Sequence, residues 1–287
     1  MNYALEVQNL CKTYGDFRLD SVSFALPAGY IMGFVGQNGA GKTTTIRLIL
    51  NMALREAGEV KVFGLDNLKD ELAIKQELAA VFDEIFFVDT WRVREVEKVI
   101  CGFYSEWDSG LYKEFLRKFE LPEDKRVKDL SRGMKMKLML AVAMSHGAKL
   151  LILDEPTSGL DPVARDELLE ILRDYISDGE KTVFFSTHIT SDLERIADYI
   201  TLIDRGRILY TGTKDGLLEH FLIAKGGRDD LTGEAKAKMI GLSVTSTGFT
   251  AMVPSSDAGG LPGGIVTEPP SIDEILVYIN KEGKRHE

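Results

Sequence analysis

Residues Gly36 to Thr43 read Gly-Gln-Asn-Gly-Ala-Gly-Lys-Thr, a complete GxxxxGK[ST] loop. It stands between an apolar, strand-like stretch, Ile31 to Val35, and a helix-like stretch, Thr44 to Met52. That order constrains the fold more than the pattern itself does. A loop held between a buried strand and a helix N-terminus can turn its backbone N–H groups inward around a phosphate chain. Glycines permit the backbone angles and the close approach. Gly36, Asn38, Gly39, Ala40, Gly41, Lys42, Thr43 and Thr44 are therefore the expected contacts of a nucleoside triphosphate. Lys42 would reach the outer phosphates and the Thr43 hydroxyl would ligate Mg²⁺.

The rest of the chain supplies a core for such a loop. Leu150 to Leu153 and Val183 to Ser186 are continuous apolar runs, and between them Pro162 to Tyr175 has helical spacing, with Pro162 in the first turn. Apolar strands separated by helices indicate a parallel sheet covered on both faces. Residues 4 to 35 read as short strands with turns at Gly15 and Pro27-Ala28-Gly29. Glu59 to Phe63 reads as a strand and Asp70 to Glu77 as a helix. Residues from about 84 to 146 are mostly helical in pattern, with turn signals at Ser109-Gly110 and Pro122. Beyond about residue 224, paired glycines and prolines break the pattern. Ser271 to Ile279 then reads as a short helix, with Ser271 and Glu274 placed for a capping box. The expected fold is α/β: a P-loop NTPase core with a mostly parallel sheet, an antiparallel β subdomain, a helical insertion and a small C-terminal appendage. The expected domains are 1–224, with the helical subdomain at about 84–146, and 225–287.

A second chemical signal is Leu150-Leu-Ile-Leu-Asp154-Glu155-Pro156. A strand ending in two carboxylates puts them at the carboxyl edge of the sheet, where α/β proteins bind ligands. Asp154 would hold Mg²⁺ through water, and Glu155 would act as general base toward the water attacking the γ-phosphate. A third is Leu130-Ser131-Arg132-Gly133-Met134-Lys135, in which Ser131 can cap a helix running through Leu140.

Taken in order, the phosphate loop, the LSxG-type segment, the Asp-Glu strand end, Ser158-Gly159-Leu160-Asp161 and His188 resemble the nucleotide-binding subunit of an ABC transporter, over roughly residues 4 to 215. The resemblance implies ATP and Mg²⁺ as cofactors and a Mg-dependent ATPase with Lys42, Glu155 and His188 at the reacting phosphate. It implies two cassettes bound head to tail, as a homodimer or with a related ATPase subunit. Ser131 and Gly133 would then contact the γ-phosphate held by the other copy, where a helix N-terminus suits an anion. Asp161 would sit at the seam, and Tyr14 would stack on adenine. It also implies a separate transmembrane permease as partner, an exporter-type single-cassette layout, and a place at the inner face of the membrane. Two departures stand out. Arg132 and Met134 replace a glycine and a glutamine of the usual signature, and Asp83 stands where a metal-sensing glutamine is expected. Phe86, Phe87, Val88 and Trp91, with Ile85, form an apolar cluster readable either as core or as a groove for a helix of the permease. A soluble ABC-type ATPase acting on a non-membrane partner is the alternative.

Composition narrows the remaining classes. The net charge of -10 argues against non-specific binding to nucleic acid, and no such partner is expected. No stretch approaches the roughly 18 apolar residues of a membrane span, so a cytoplasmic chain is expected. Cys11 and Cys101, the two cysteines, read as reduced core thiols.

Overall fold

The computed structural model describes residues 2–82 and 86–283. The chain forms two compact units, 1–211 and 212–287.

In the first unit, β1 (Tyr3–Tyr14) and β2 (Phe17–Pro27) form an antiparallel hairpin, followed by β3 (Ile31–Val35) and α1 (Lys42–Ile49). Then come β4 (Ala57–Val62), β5 (Leu65–Asp66), α2 (Glu71–Glu77) and β6 (Leu78–Val81). The helical part follows as α3 (Val93–Ile100), α4 (Ser109–Lys118) and α5 (Arg132–Met144). The chain returns through β7 (Leu150–Asp154), α6 (Pro162–Tyr175), β8 (Thr182–Thr187), α7 (Thr190–Ile196), β9 (Tyr199–Asp204) and β10 (Arg207–Thr213).

Among the described residues these strands make a four-stranded sheet ordered β2-β1-β4-β5 and a six-stranded sheet ordered β10-β9-β3-β8-β7-β6. β3 pairs in parallel with both β8 and β9, and β7 with both β6 and β8. Every residue of β3, β7 and β8 is buried, as continuous apolar runs between two covering layers require. The two sheets share one core. Phe24 of β2 lies with Phe34 of β3 and Phe184 of β8, ring centroids 5.3 to 5.5 Å apart. Such aromatic contacts add about 0.5–1.5 kcal/mol each to their burial.

Several expectations are corrected. Within the segment 4–35 the first two strands are long, of 12 and 11 residues, and only β3, of 5 residues, is short as expected. Register shifts near Asn9 and Ser21, both with positive φ, let the pairing continue past local breaks. Ser109-Gly110 is the first turn of α4, because Asp108 Oδ1 accepts the Leu111 N–H at 2.9 Å and caps it. Both thiols are free and half-buried, not core.

The second unit begins earlier than the composition shift. It holds α8 (Lys214–His220), β11 (Phe221–Gly226), α9 (Gly233–Ala237), β12 (Ile240–Val244), β13 (Phe249–Pro254), α10 (Ser255–Ala258), β14 (Val266–Glu268) and α11 (Ile272–Gly283). Its strands form an antiparallel sheet ordered β12-β13-β11-β14 over its own core of Ala224, Phe249, Ala251 and Val253. β11 spans the expected boundary at 224 and pairs with β13 and β14, so residues 221–224 go with the second unit. The expected capping box is formed: Ser271 N–H donates to Glu274 at 2.9 Å and Glu274 N–H to Ser271 Oγ at 3.2 Å.

Candidate functional site

β3 delivers the chain to the carboxyl edge of the six-stranded sheet, and residues 36–41 turn it into α1. Gly41 has φ 114° and caps the helix without a side chain. A Cβ there would come within 3.1 Å of both the Leu19 side chain and the Phe17 ring, so glycine is required twice over. With no side-chain cap, the first N–H groups of α1 are left to an anion.

Lys42 is buried and folds back over the loop. Its Nζ donates to Gly36 O at 2.7 Å and Gln37 O at 3.2 Å and lies 3.1 Å from Glu155 Oε1. Thr43 Oγ1 donates to Asp154 Oδ2 at 2.8 Å, and Ser186 Oγ donates to Asp154 Oδ1 at 2.5 Å. The parallel register of β7 on β8, which sets Asp154 beside Ser186, accounts for the second bond. Glu155 follows in left-handed conformation, φ 52°. That conformation costs a non-glycine residue about 1 kcal/mol or more. Its N–H is held by Ser186 at 3.1 Å, and its Oε2 meets His188 Nδ1 at 2.7 Å. Glu155 thus bridges Lys42 and His188.

These groups open on one cavity of about 560 Å³. Asn38, Gly39, Gly41, Lys42, Thr43 and Thr44 form its loop side, and Asp154, Glu155, Ser158 and His188 form the opposite side. Gly36 and Ala40 are not on its wall: Gly36 supplies the carbonyl that holds Lys42, and Ala40 is buried. The aromatic on the wall is Phe17, not Tyr14. Tyr14, 49% exposed, is its cross-strand partner at the hairpin end. The two-residue turn between them was the signal that either ring could face the loop. Ser186 was also missed, because only the pairing of β7 with β8 sets it beside Asp154.

Ser131, Gly133 and Asp161 do not line this cavity. Ser131 Oγ accepts the Met134 N–H at 3.2 Å and caps α5. Gly133 packs against Ala164. Asp161 Oδ1 caps α6, accepting from Val163 and Ala164 N–H, both at 3.0 Å. Asp83 and Ile85 lie outside the described residues. Of the apolar cluster, Phe86 is 70% exposed and Val88 is exposed, while Phe87 and Trp91 are half-buried. Phe82, Phe86 and Phe87 border a cavity of about 200 Å³ with Phe103 and Tyr104; these last two also border a neighbouring cavity of about 500 Å³. Among the described residues no helix is long and apolar enough to cross a membrane.

Residues 19–158 match the family model described as ABC transporter. The Nod factor export ATP-binding protein I of Neorhizobium galegae is 36% identical over 239 residues, covering 76% of this chain and 65% of that protein. The chain therefore spans about two thirds of that relative's length. The bacitracin transport ATP-binding protein BcrA of Bacillus licheniformis is 32% identical over 215 residues, covering 73% of this chain and 69% of that protein. A solved ATP-binding subunit of an ABC transporter superimposes with TM-score 0.68 at 27% identity, over 75% of this chain and 91% of its own.

Proposed function

Because this chain belongs to the ABC transporter family, as one of its ATP-binding proteins, we propose that it binds ATP with Mg²⁺, hydrolyses it, and drives a separate membrane permease. One observation carries the reading: Lys42, Thr43, Asp154, Glu155 and His188 converge on a single cavity. The residues fit the ligand. The uncapped start of α1 and Lys42 suit the phosphates, and Phe17 offers a face for adenine. The Thr43 and Asp154 oxygens are hard donors suited to Mg²⁺. Among the described residues no group of three or more His, Cys, Asp or Glu side chains is placed to hold a metal. A cation here would complete its shell from phosphate and water. Bound there, Mg²⁺ would neutralise charge on the phosphate oxygens.

The side chains then have separable tasks. Lys42 leaves Glu155 for the phosphates. Glu155, released on one oxygen and held by His188 on the other, accepts a proton from the attacking water. His188, on the cavity wall, would hydrogen-bond the γ-phosphate. Ser131 and Gly133, at the start of α5 and off their own cavity, meet the γ-phosphate of a second copy or of a related subunit. Asp161 lies at the seam between them. ATP favours the closed pair and hydrolysis reopens it. The exposed Phe86 and Phe103, on the rims of two adjoining cavities, support a docking groove for the permease. That partner would hold the chain at the inner face of the membrane. Export is favoured by the relatives, whose names specify Nod factor export and bacitracin transport.

The test is phosphate release. Wild-type protein should hydrolyse ATP in a Mg²⁺-dependent manner, and Glu155→Gln should lose at least ~100-fold in turnover. Full activity in a folded Glu155→Gln variant would remove Glu155 from the reaction.

A further inference from the structure

Asp192 stands outside the cavity and is fully buried. A buried carboxylate is costly unless it is paired and hydrogen-bonded. Its partners here come from two other segments. Thr157, two residues after Glu155, donates its hydroxyl to Oδ2 at 2.6 Å. Arg165 of α6, in the helix capped by Asp161, donates Nε–H to Oδ1 at 2.5 Å and a second N–H to Ser191 Oγ at 2.6 Å. Asp192 itself lies in the first turn of α7, which follows His188 directly. The same helix is seated on β3 by Leu193, whose side chain occupies the space that a Cβ on Gly33 would claim.

One carboxylate therefore ties the segment bearing Glu155 to the segment bearing His188, and both to the helix capped by Asp161. The contact between Glu155 and His188 joins the ends of two strands, and His188 is 43% exposed. Packing around the imidazole cannot hold it in place, so its position depends on the backbone that carries it.

We propose that Asp192 is a positioning residue for this pair: through Thr157 and Arg165 it fixes the backbone on both sides of the Glu155–His188 contact. The inference rests on the reading of those two residues as hydrolytic groups. Asp192 does not line the cavity, so its effect on that pair is indirect.

Asp192→Asn removes the charge at constant volume, and Thr157→Val removes only the hydroxyl. In both, ATP turnover should fall ~10-fold or more, since misplacement by about 1 Å can cost ~100-fold. KM for ATP and affinity for ADP should stay within about twofold, and Thr157→Ser should recover turnover. Amide hydrogen exchange of the full chain without nucleotide is a second, independent readout. Exchange should quicken together in 155–160 and 187–192, and stay unchanged in β6. Unchanged turnover and exchange in a folded Asp192→Asn protein would overturn the proposal. So would a parallel loss of turnover and ADP affinity, which marks a general structural role. A wild type that releases no phosphate would defeat the ATPase reading instead, and the exchange experiment would then decide the tie between the two segments.

Discussion

Lys42 Nζ lies 3.1 Å from Glu155 Oε1, with the two side chains 6% and 18% exposed. Any phosphate that engages Lys42 must first separate this pair. At an effective dielectric of about 20 the gross attraction at that distance is about 5 kcal/mol. Solvation offsets most of it, and a hydrogen bond to a charged group is worth about 1.5–3 kcal/mol net. Glu155→Gln removes the ionic part while keeping the shape. It also withdraws a negative charge from a cavity that must accept an anion, so both effects have the same sign. The variant should bind Mg-ADP about 10-fold more tightly than wild type, equivalent to about 1.4 kcal/mol. ADP is the useful probe because it has no γ-phosphate to hydrolyse. Isothermal titration calorimetry at about 0.15 M salt, where exposed charges are screened, reads the difference directly. His188→Ala leaves the Lys42–Glu155 pair in place and serves as the control, with no tightening expected. Equal or weaker ADP binding by a folded Glu155→Gln protein would show that the pair does not oppose the ligand.

Three further outcomes are expected. Phe17→Ala should weaken ADP binding ~10-fold through lost base stacking, whereas Tyr14→Ala should change it by no more than about twofold; the reverse ranking would restore Tyr14 to the wall. Gly33→Ala should destabilise by about 1–3 kcal/mol in urea unfolding, because the new Cβ would meet Leu193 Cδ2 at 2.0 Å. Adding Leu193→Ala should recover part of that loss, and strict additivity would show that the two sites do not touch. His146 is buried and stacked on Tyr104 with ring centroids 3.8 Å apart, and neither of its ring nitrogens has a hydrogen-bond partner among the described residues. Burial pushes its imidazole below the ordinary histidine range, opposed in part by the nearby backbone of Val142 and Leu78. The unfolded chain then binds the proton first, so stability is lost as pH falls from the unfolded value of about 6.5 toward the folded one. His146→Phe keeps the stacking and should lose less stability than wild type between about pH 7.5 and 5.5; an equal loss would place the pH dependence elsewhere.

Element types were legible wherever a pattern was local and long. Pro162–Tyr175 is a helix over the residues its spacing indicated, and α2 begins one residue after the expected start at Asp70. The first carries its own start signal, a proline in the first turn; Asp70 precedes the second without a side-chain capping bond. The hairpin was misjudged as short strands because its register shifts look like breaks when only one strand is read. The sheet of the second unit was not foreseen, since glycines and prolines obscured strands that exist only by pairing across the 221–268 segment.

Contiguous motifs carried the phosphate loop, the cap of α5, the first-turn proline of α6 and the two carboxylates at the end of β7, because backbone angles and helix starts depend on residues within a turn of one another. Which side chains meet was decided only by the tertiary structure. Ser186 reaches Asp154 from 32 residues away because β7 and β8 run parallel in one register. Asp192 gathers Thr157 and Arg165 because α7 is seated on a strand whose glycine leaves it room. Phe17 takes the wall in place of its neighbour across the turn because the packed hairpin brings its ring beside Gly41, a long-range contact that the turn alone does not specify.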